Sequence, residues 1–387
     1  MKVFLIAGEA SGDALGGALM RGLKALDPEA TFDGIGGARM QAEGLMSRFP
    51  MDELSVMGIA EVLPRYAQLM RRIKETAAAV VETRPDVLVT IDSPDFVFRV
   101  ARRVKAVSDV RVVHYVAPTV WAWRPGRARK MAEFVDQVLT LFPFEPRYFN
   151  AVGVRADFVG HPVVAEPVAT DAEARAFRDR HGFGAAPLLL VLPGSRRGEI
   201  ARLAPIFGET LARVTQARPE LRVAVPAAPG VAEVVREQTA WWPCAPVILD
   251  PAEDADGSRK RAVFRAADAA LAASGTVSLE LAAAGTPMAI AYDMAWLSRQ
   301  IIGRMLLVDT VTLVNLVSET RAVPEFLGEA CRPGTIAPAL LRLLDEPGAQ
   351  AEALEITMER LGRGGEAPGL RTARAVLDGM GQGRPED

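Results

Sequence analysis

The feature that most constrains this chain is a short βα unit at its start, which is matched by a second one far downstream. In the first unit an apolar run, Val3–Ala7, ends in a turn of small residues that opens a helical pattern. In the second, the turn Pro193-Gly194-Ser195-Arg196 follows another apolar run. Such turns let backbone N–H groups approach an anion at a helix N-terminus. Two of them predict two Rossmann-like halves with a cleft between them.

Apolar strands alternate with helical segments along the chain, as in doubly wound α/β proteins with parallel sheets. In the first half, strands are predicted at Val3–Ala7, Val87–Ile91 and Val110–Tyr115. The alternation restarts after Gly160-His161-Pro162, which we interpret as the beginning of a linker. The later predicted strands are Leu188–Leu192, Leu221–Val225, Val247–Leu249, Ala269–Ala272 and Met288–Ala291. We therefore expect domains over residues 1–164 and 165–350, and a C-terminal helical segment over 351–387 that packs back on the first domain or exchanges with a partner subunit.

Composition narrows the class of protein. A length of 387 residues suits two domains that each bury a core. The formal net charge of −3 provides no global basic surface, so nucleic acid is not an expected partner. Two cysteines, Cys244 and Cys331, are too few for a disulfide framework. No apolar run reaches the roughly 20 residues that span a bilayer, and no secretory leader precedes the first strand. These observations predict a cytoplasmic protein.

The first turn, Gly8-Glu9-Ala10-Ser11-Gly12-Asp13, departs from the dinucleotide-binding fingerprint. That fingerprint needs bare backbone in the turn, whereas Glu9, Ser11 and Asp13 place acidic and hydroxyl groups there. A dinucleotide is therefore not expected, and no other cofactor is predicted. Ser11 or Asp13 can equally well cap the next helix, but the cluster as a whole predicts a polar ligand near the turn.

Asp92 follows the apolar run Val87–Ile91, at the carboxyl end of a predicted central strand. Open α/β sheets bind their ligands at this edge. A carboxylate that is partly desolvated beneath a bound sugar can accept a hydroxyl proton as a general base. The alternative is a cap for the helix that begins near Pro94; the two roles stay open for Asp92, and capping is favoured for Asp95.

An aromatic loop, His114–Arg124, follows the next predicted strand. Its Tyr and Trp rings can stack on a sugar, although we expect one tryptophan to pack in the core. Trp123 and Arg124 are predicted to bind substrate. Basic side chains just beyond the loop can meet a phosphate; they are Arg127, Arg129 and Lys130.

Two turns in the second half predict an anion site. Gly194 and Ser195 can present N–H groups while Arg196 neutralises a diphosphate; a plain capped turn is the alternative. Further along, Ser274, Gly275 and Thr276 form a second turn with backbone donors, and Glu280 lies one helical turn later. Glu280 can accept hydrogen bonds from ribose hydroxyls or be merely solvated. His, Cys and carboxylate spacings predict no metal site.

One predicted helix carries an apolar stripe with basic residues around it. The stripe comprises Ile59, Val62, Leu63, Tyr66, Leu69 and Met70. An amphipathic basic helix can lie on an anionic membrane. A helix with its apolar face in the core produces the same pattern, and the residues alone favour that interpretation.

Six segments resemble the lipid-A-disaccharide synthases, bacterial glycosyltransferases, and occur in that family's order. They are Ala7–Asp13, Met57–Ile59, Ile91–Phe96, Val120–Arg124, Pro193–Arg196 and Ala273–Thr276. The resemblance runs to about Leu377. It implies a GT-B fold and transfer of 2,3-diacylglucosamine from its UDP derivative to 2,3-diacylglucosamine 1-phosphate. The products are lipid A disaccharide 1-phosphate and UDP.

The resemblance also implies roles for individual residues and partners. Asp92 corresponds to the family's candidate base and Glu9 to its motif glutamate; Arg196 and Asn315 correspond to residues expected on the UDP side. Members act as peripheral enzymes on the inner face of the inner membrane of Gram-negative bacteria, which favours membrane contact by the stripe. A homodimer with exchanged C-terminal segments is a further expectation.

Two other functions fit the same two-domain frame. A UDP-sugar 2-epimerase shares a similar Ser-Gly-Thr turn and acts without an acceptor. A non-catalytic nucleotide-sugar binding protein needs Arg196 and Glu280 but has no use for Asp92. Incubation with a UDP-amino sugar alone, and turnover with both lipids, distinguish these two from the glycosyltransferase.

Overall fold

The computed structural model describes residues 1–54, 59–293 and 307–381, with only the helical backbone for residues 59–65. The described chain forms two compact units. The first comprises Met1–Ala165 and Gly364–Asp387, and the second comprises Glu166–Arg363. Each unit contains a six-stranded sheet whose strands all pair in parallel. The predicted α/β class with two Rossmann-like halves is confirmed.

The sheet of the first unit has the strand order β2-β1-β3-β4-β5-β6. Its strands are β1 (Lys2–Ala7), β2 (Thr31–Ile35), β3 (Val87–Ile91), β4 (Arg111–Tyr115), β5 (Gln137–Thr140) and β6 (Arg155–Phe158). Its helices are α1 (Ala10–Leu26), α2 (Ala38–Ala42), α3 (Ile59–Thr83), α4 (Pro94–Lys105), α5 (Gly126–Met131) and α6 (Pro146–Asn150). Every residue of β3 is buried, as expected of a central strand covered by helices on both faces.

The sheet of the second unit has the order β12-β11-β10-β7-β8-β9. Its strands are β7 (Leu188–Leu192), β8 (Arg222–Pro226), β9 (Val247–Leu249), β10 (Ala269–Ala273), β11 (Met288–Tyr292) and β12 (Glu325–Leu327). The helices described in this unit are α7 (Asp171–Arg180), α8 (Arg197–Ala217), α9 (Ala232–Thr239), α10 (Ser258–Ala266), α11 (Val277–Ala284), α12 (Leu313–Ser318), α13 (Pro333–Asp345) and α14 (Ala351–Arg360).

The C-terminal segment divides between the units. Helix α14 packs on α12, where Thr357 Oγ1 donates to Val314 O at 3.3 Å, so it belongs to the second unit. The last helix, α15 (Pro368–Gly381), packs on α1 in the first unit. A Cβ at Gly22 of α1 would lie 2.4 Å from the Gly369 carbonyl oxygen, so this close approach requires glycine. The chain therefore returns to the first unit after Arg363, and not at residue 351.

Both sheets have a topological switch point, where the strand order reverses. In the first unit the chain leaves β1 for β2 on one side and then continues with β3 on the other. In the second unit the same reversal separates β7 from β10. Open α/β sheets bind ligands in the crevice outside the carboxyl ends of the strands at such a point. The loops that follow β1, β3, β7 and β10 are therefore the natural places for a site.

No helix among the described residues is both long enough and apolar enough to cross a membrane.

Candidate active site

The carboxyl ends of three neighbouring strands meet at the switch point of the first unit. Ala7 of β1 pairs with Ile91 of β3, and Ile91 pairs with Tyr115 of β4. The turns that follow are in contact, since a Cβ at Gly8 would lie 2.5 Å from Ser93 Oγ. The fold thus brings together three of the motifs predicted from the sequence: the first turn, the Asp92 turn and the aromatic loop.

Backbone strain concentrates in these loops. Asp92, Ser93, Val116 and Arg124 all have positive φ, at 50°, 44°, 78° and 55°. Side chains other than glycine rarely adopt this conformation, and a β-branched residue such as Val116 does so at a particular cost. Such residues cluster at functional sites, where the surrounding structure holds them in place. The strain therefore marks the ends of β3 and β4 as a candidate site.

Asp92 lies at the start of the strained turn after β3 and is partly exposed. Its amide donates to the Tyr115 carbonyl oxygen at 2.9 Å, which fixes the turn against β4. Its carboxylate has no hydrogen-bond or ion-pair partner among the described residues. The N-cap of α4 is Ser93, without a side-chain cap bond, so Asp92 does not cap this helix. An accessible acceptor at this position is suited to taking a proton from a ligand hydroxyl.

Asp95 does not have the capping role that the sequence favoured. It lies inside the first turn of α4 and is exposed. A carboxylate there still interacts favourably with the helix dipole without accepting a cap hydrogen bond.

The acidic residues of the first turn have different environments. Glu9 occupies the N-cap position of α1, and Ser11 is exposed in the first turn of that helix. Asp13 is buried, and its carboxylate accepts from the amides of Gly37, Arg39 and Met40 at 2.8–3.0 Å. The expectation that Asp13 binds substrate is therefore corrected: its oxygens hold the start of α2. The sequence offered no signal for these partners, which lie 24 to 27 residues away.

The aromatic loop contains one buried and one partly exposed tryptophan. Trp121 is buried and donates through Nε1 to Glu145 at 3.1 Å. Trp123 is partly exposed; its Nε1 donates to Thr119 Oγ1 at 2.9 Å, and the Arg124 guanidinium lies over its ring at 4.4 Å. Trp121 therefore anchors the loop, whereas Trp123 and Arg124 form a pair that a ligand can reach.

Glu145 is a residue of this site that the sequence analysis missed. Besides Trp121, its carboxylate accepts from the amides of Leu141 at 3.1 Å and Phe142 at 3.0 Å. Burial raises the pKa of Glu145 to about 7, against these hydrogen bonds, which lower it. Glu145 ties the aromatic loop to the segment after β5. The local sequence around Glu145 is equally compatible with a solvated loop glutamate, so only the tertiary structure shows that Glu145 is buried.

The predicted apolar stripe on α3 divides into two parts. Tyr66 is half exposed, whereas Leu69 and Met70 pack against the core of the first unit. Because Leu69 and Met70 are only partly buried there, membrane contact by the stripe stays a prediction. Ile59, Val62 and Leu63, together with the Met57-Gly58 motif, lie outside the side chains that the structure describes.

At the switch point of the second unit, the turn after β7 is closed by a carboxylate. Gly194 has φ of 116°, and the Ser195 amide donates to Glu199 Oε2 at 3.2 Å. Arg196 forms an ion pair with Glu199 at 3.5 Å, and its side chain is 66% exposed. Glu199 therefore occupies donors that the sequence predicted for an anion; it was not among the predicted site residues. Any anion that binds this turn must take over these donors from Glu199.

The turn after β10 leaves its donors accessible. Gly275 and Thr276 are exposed, and Ser278 Oγ donates to the Gly275 carbonyl oxygen at 2.9 Å, which stabilises the start of α11. Glu280 forms a 2.5 Å ion pair with Lys260, and both side chains are more than 40% exposed. Since pairs this exposed contribute little stability, the Glu280 carboxylate can exchange Lys260 for a ligand hydroxyl.

Asn315 has a structural role in place of the predicted contact with UDP. It is buried in α12, and its Nδ2 donates to Thr310 Oγ1 at 3.3 Å and to Val323 O at 2.9 Å. Its Oδ1 accepts from the Val323 amide at 3.0 Å. With both ends of the amide committed to neighbouring residues, the side chain holds the loop after α12.

Histidine and carboxylate side chains form no cluster of metal-ligating type within residues 1–54, 59–293 and 307–381. His114 is buried, with Nδ1 at 2.9 Å from Thr90 Oγ1, and burial lowers its pKa to about 3. His161 is also buried, and burial lowers its pKa to about 4. Both are thus neutral core side chains near neutral pH.

Comparison with known proteins agrees with the geometry. The family model described as lipid-A-disaccharide synthetase matches residues 3–365. The lipid-A-disaccharide synthase of Ruegeria pomeroyi is 62% identical over 98% of this chain and 95% of that protein. The enzyme of the same name from Rhodospirillum centenum is 49% identical over 98% of this chain and 94% of its own length.

Solved structures with the same fold have much lower sequence identity to this chain. A UDP-GlcNAc 2-epimerase from Neisseria meningitidis bound to UDP-GlcNAc has a TM-score of 0.63 and 12% identity, covering 98% of this chain and 99% of its own. A glycosyltransferase from Rickettsia africae has a TM-score of 0.56 and 10% identity, covering 98% and 97%. The epimerase alternative thus has support only from fold, whereas sequence supports the transferase. This chain belongs to the lipid-A-disaccharide synthase family of glycosyltransferases.

Proposed function

We propose that the first unit binds the acylated acceptor and supplies the base, while the second unit binds the UDP moiety of the donor. The reaction transfers 2,3-diacylglucosamine from its UDP derivative to 2,3-diacylglucosamine 1-phosphate and releases UDP. The observation that carries the proposal is the Asp92 carboxylate, unpartnered among the described residues at the switch point of the first unit.

In this mechanism the primary hydroxyl of the acceptor attacks the anomeric carbon of the donor on the face opposite UDP. The new C–O bond forms as the bond to the diphosphate oxygen breaks, so the configuration inverts. Asp92 accepts the hydroxyl proton, a role that typically contributes about 10²–10⁴-fold to rate. Glu9 and Ser11, from the neighbouring turn, and Trp123 and Arg124 are proposed to hold the acceptor sugar, with Glu9 the alternative base.

Negative charge develops on the departing diphosphate. Backbone donors at Gly194, Ser195 and the turn Ser274–Thr276 are proposed to stabilise it, together with the exposed Arg196 guanidinium. Preorganised donors of this kind contribute about 3–4 kcal/mol each when their loss is measured. Binding then requires Glu199 to give up the Ser195 amide, and Glu280 to exchange Lys260 for the ribose hydroxyls.

Peripheral attachment to the inner face of the inner membrane is proposed for the first unit. Tyr66, half exposed on α3, supports it because tyrosine favours the membrane interface. In flotation with anionic vesicles, the wild-type chain is expected to float and Tyr66→Glu to float less. The matched control is Val107→Glu, which changes another exposed apolar residue of the same unit. Equal loss in both variants would contradict a contact at α3.

The direct test of the reaction is an assay with radiolabelled donor in detergent micelles. Label is expected in a disaccharide only when the phosphorylated acceptor is present, and an added chelator is expected to leave the rate unchanged. Conversion of the donor without acceptor contradicts the proposal and favours the epimerase. Donor binding without any turnover contradicts it in favour of a binding protein.

A further inference from the structure

A basic groove lies within the first unit between α4 and α5. It is a cavity of about 550 Å³, a volume typical of small-molecule sites. Phe98 and Phe134 form part of its apolar lining. Its charged side chains are five cations and one carboxylate: Arg99, Arg102, Arg124, Arg127, Lys130 and Asp95.

The described residues provide no carboxylate partner for the cations of the groove. Within the described part of the chain, none of the five forms an ion pair with a carboxylate. Their contacts are with uncharged groups: Arg102 lies over the Phe134 ring at 4.6 Å, and Arg127 lies over the Phe98 ring at 5.6 Å. Arg99 donates to Met70 Sδ at 3.5 Å. The rings orient the guanidinium groups and leave their charge available for an anion.

The groove begins beside the proposed base. Helix α4 starts at Pro94, two residues after Asp92, and Arg99 and Arg102 line the groove along one side of this helix. With a rise of about 1.5 Å per residue, Arg102 lies about 12 Å beyond Pro94 along the helix axis. Asp95 lines the end nearer the base and disfavours an anion there. The groove therefore favours an anion toward Arg102 and Lys130, away from Asp95.

We propose that this groove binds the phosphate monoester of the acceptor, with the sugar lying between the groove cations and the base at Asp92. This assignment rests on the proposed function, because the acceptor defined there carries its 1-phosphate on the same sugar ring as the primary hydroxyl that attacks the donor. A phosphate monoester offers several oxygens and close to two negative charges, which suit the planar donor forks of several arginines. The Phe98 and Phe134 rings provide apolar surface for the sugar or the first acyl carbons.

The chain offers a matched pair of double variants for the test. Arg102→Gln with Lys130→Gln removes two positive charges from the groove. Arg103→Gln with Arg147→Gln removes two from other exposed positions of the same unit, neither of which lines this groove. Both pairs keep polar side chains of similar length. Unchanged melting temperatures in both confirm that they fold.

Transfer is measured in detergent micelles with the full chain. The groove pair is expected to raise the KM for the phosphorylated acceptor at least tenfold, with kcat and the KM for the donor nearly unchanged. The outer pair is expected to change each value less than twofold. Equal effects of the two pairs, or a groove effect on the donor alone, would overturn the assignment.

Two binding measurements separate this proposal from its rivals. Binding of glucosamine 1-phosphate, followed by phosphorus NMR with glucosamine and inorganic phosphate as competitors, needs no turnover. If wild-type transfer fails but the groove pair still loses sugar-phosphate binding, the proposed function falls and the phosphate site stands. Phosphatidylcholine vesicles with and without phosphatidylglycerol test the other source of phosphate. If the groove pair loses vesicle binding alone, the groove serves membrane headgroups and the acceptor assignment is overturned.

Discussion

The two units have the same architecture at their switch points but carry different chemistry there. In the first, the loops after β1 and β3 carry carboxylates, Glu9 and Asp92, and the turn after β3 is strained. In the second, the loops after β7 and β10 carry glycine, serine and the exposed Arg196. Both sheets have a switch point, although their strand orders differ: one strand lies beyond β1 in the first sheet, and two lie beyond β7 in the second. The turns at the two switch points therefore carry different side chains, which suit the proposed proton acceptor in one unit and the proposed anion donors in the other.

A second difference concerns the carboxylates themselves. In the first unit the Asp92 carboxylate is accessible and has no partner among the described residues, whereas Asp13 is fully used by three amides. In the second, Glu199 and Glu280 both form exposed or partly exposed contacts that a ligand can replace. The first unit thus has one accessible carboxylate and one that holds the start of α2, whereas the carboxylates of the second unit lie in contacts accessible to solvent.

The largest expected effect is the loss of turnover in Asp92→Asn. The amide cannot accept the hydroxyl proton, so kcat is expected to fall by about 10²–10⁴-fold. The affinity for UDP, whose proposed site is in the other unit, is expected to stay within twofold by calorimetry. Asp109→Asn, at an exposed position of the same unit that does not line the groove, is the control and should retain most activity. An Asp92→Asn enzyme with most of its activity would remove Asp92 from the base role and leave Glu9 as the candidate.

Asp13→Ala tests whether the buried Asp13 carboxylate stabilises the start of α2. Three amides at the start of α2 lose their acceptor, so the free energy of unfolding is expected to fall by about 2–4 kcal/mol. Ser11→Ala, at an exposed position of the same helix, is expected to change it by less than about 0.5 kcal/mol. Chemical denaturation measures both. An Asp13→Ala protein of normal stability with a raised acceptor KM would restore the substrate contact that the sequence predicted.

In the second unit, Arg196→Ala is expected to weaken UDP binding about 10–100-fold, because a charge-assisted hydrogen bond contributes about 1.5–3 kcal/mol. Arg197→Ala removes the same charge from the neighbouring exposed position and is expected to have little effect. Calorimetry with UDP alone makes the comparison without acceptor or membrane. Equal losses in both variants would indicate general electrostatic attraction in place of a specific contact.

The sequence predicts the central strands and the site loops better than the edges of the sheets. Strands β3 and β7 are continuous apolar runs, and both were predicted with their observed bounds. Strands β2, β5, β6 and β12 were missed. The edge strands β2, β6 and β12 contain charged residues and no long apolar run, whereas β5 is internal and buried but short, with polar residues at both ends. The site motifs sit where buried strands end, which is why local sequence located them.

What sequence could not provide is the partner of each side chain. Asp13 and Asn315 are residue types that often bind ligands. Only the tertiary structure shows that their polar atoms already form hydrogen bonds within the protein. Glu145 and Glu199 look like ordinary solvated glutamates, yet one is buried against Trp121 and the other closes an anion turn. Local patterns thus locate loops that can carry chemistry, whereas long-range hydrogen bonds decide which side chains remain available.

The smallest expected effect is a difference in acid sensitivity between the units. Burial lowers the pKa of His114 to about 3 and of His161 to about 4, from an ordinary value of 6.5. As the pH falls below 6.5, the unfolded first unit therefore binds two protons that its folded state does not, and stability is lost. Glu145, with its pKa raised to about 7, acts in the opposite sense between pH 7 and its ordinary value of 4.5. In the second unit His181 has a lowered pKa but is less buried.

Between pH 6.5 and 5, the unfolded first unit binds up to about one proton more than the folded unit, because Glu145 offsets one of the two histidine protons. The free energy of unfolding of this unit is therefore expected to fall by up to about 1.4 kcal/mol per pH unit. Hydrogen exchange with mass spectrometry reports the opening free energies of β3 and β7 separately, which a global melting curve does not. His114→Asn is expected to flatten the dependence in β3, because it removes one of the two histidine protons and leaves the other balanced by Glu145. His181→Asn is the control and should leave β3 unchanged. If the opening free energy of β7 falls with pH as steeply as that of β3 in the wild-type chain, the acid response does not arise from the buried histidines of the first unit.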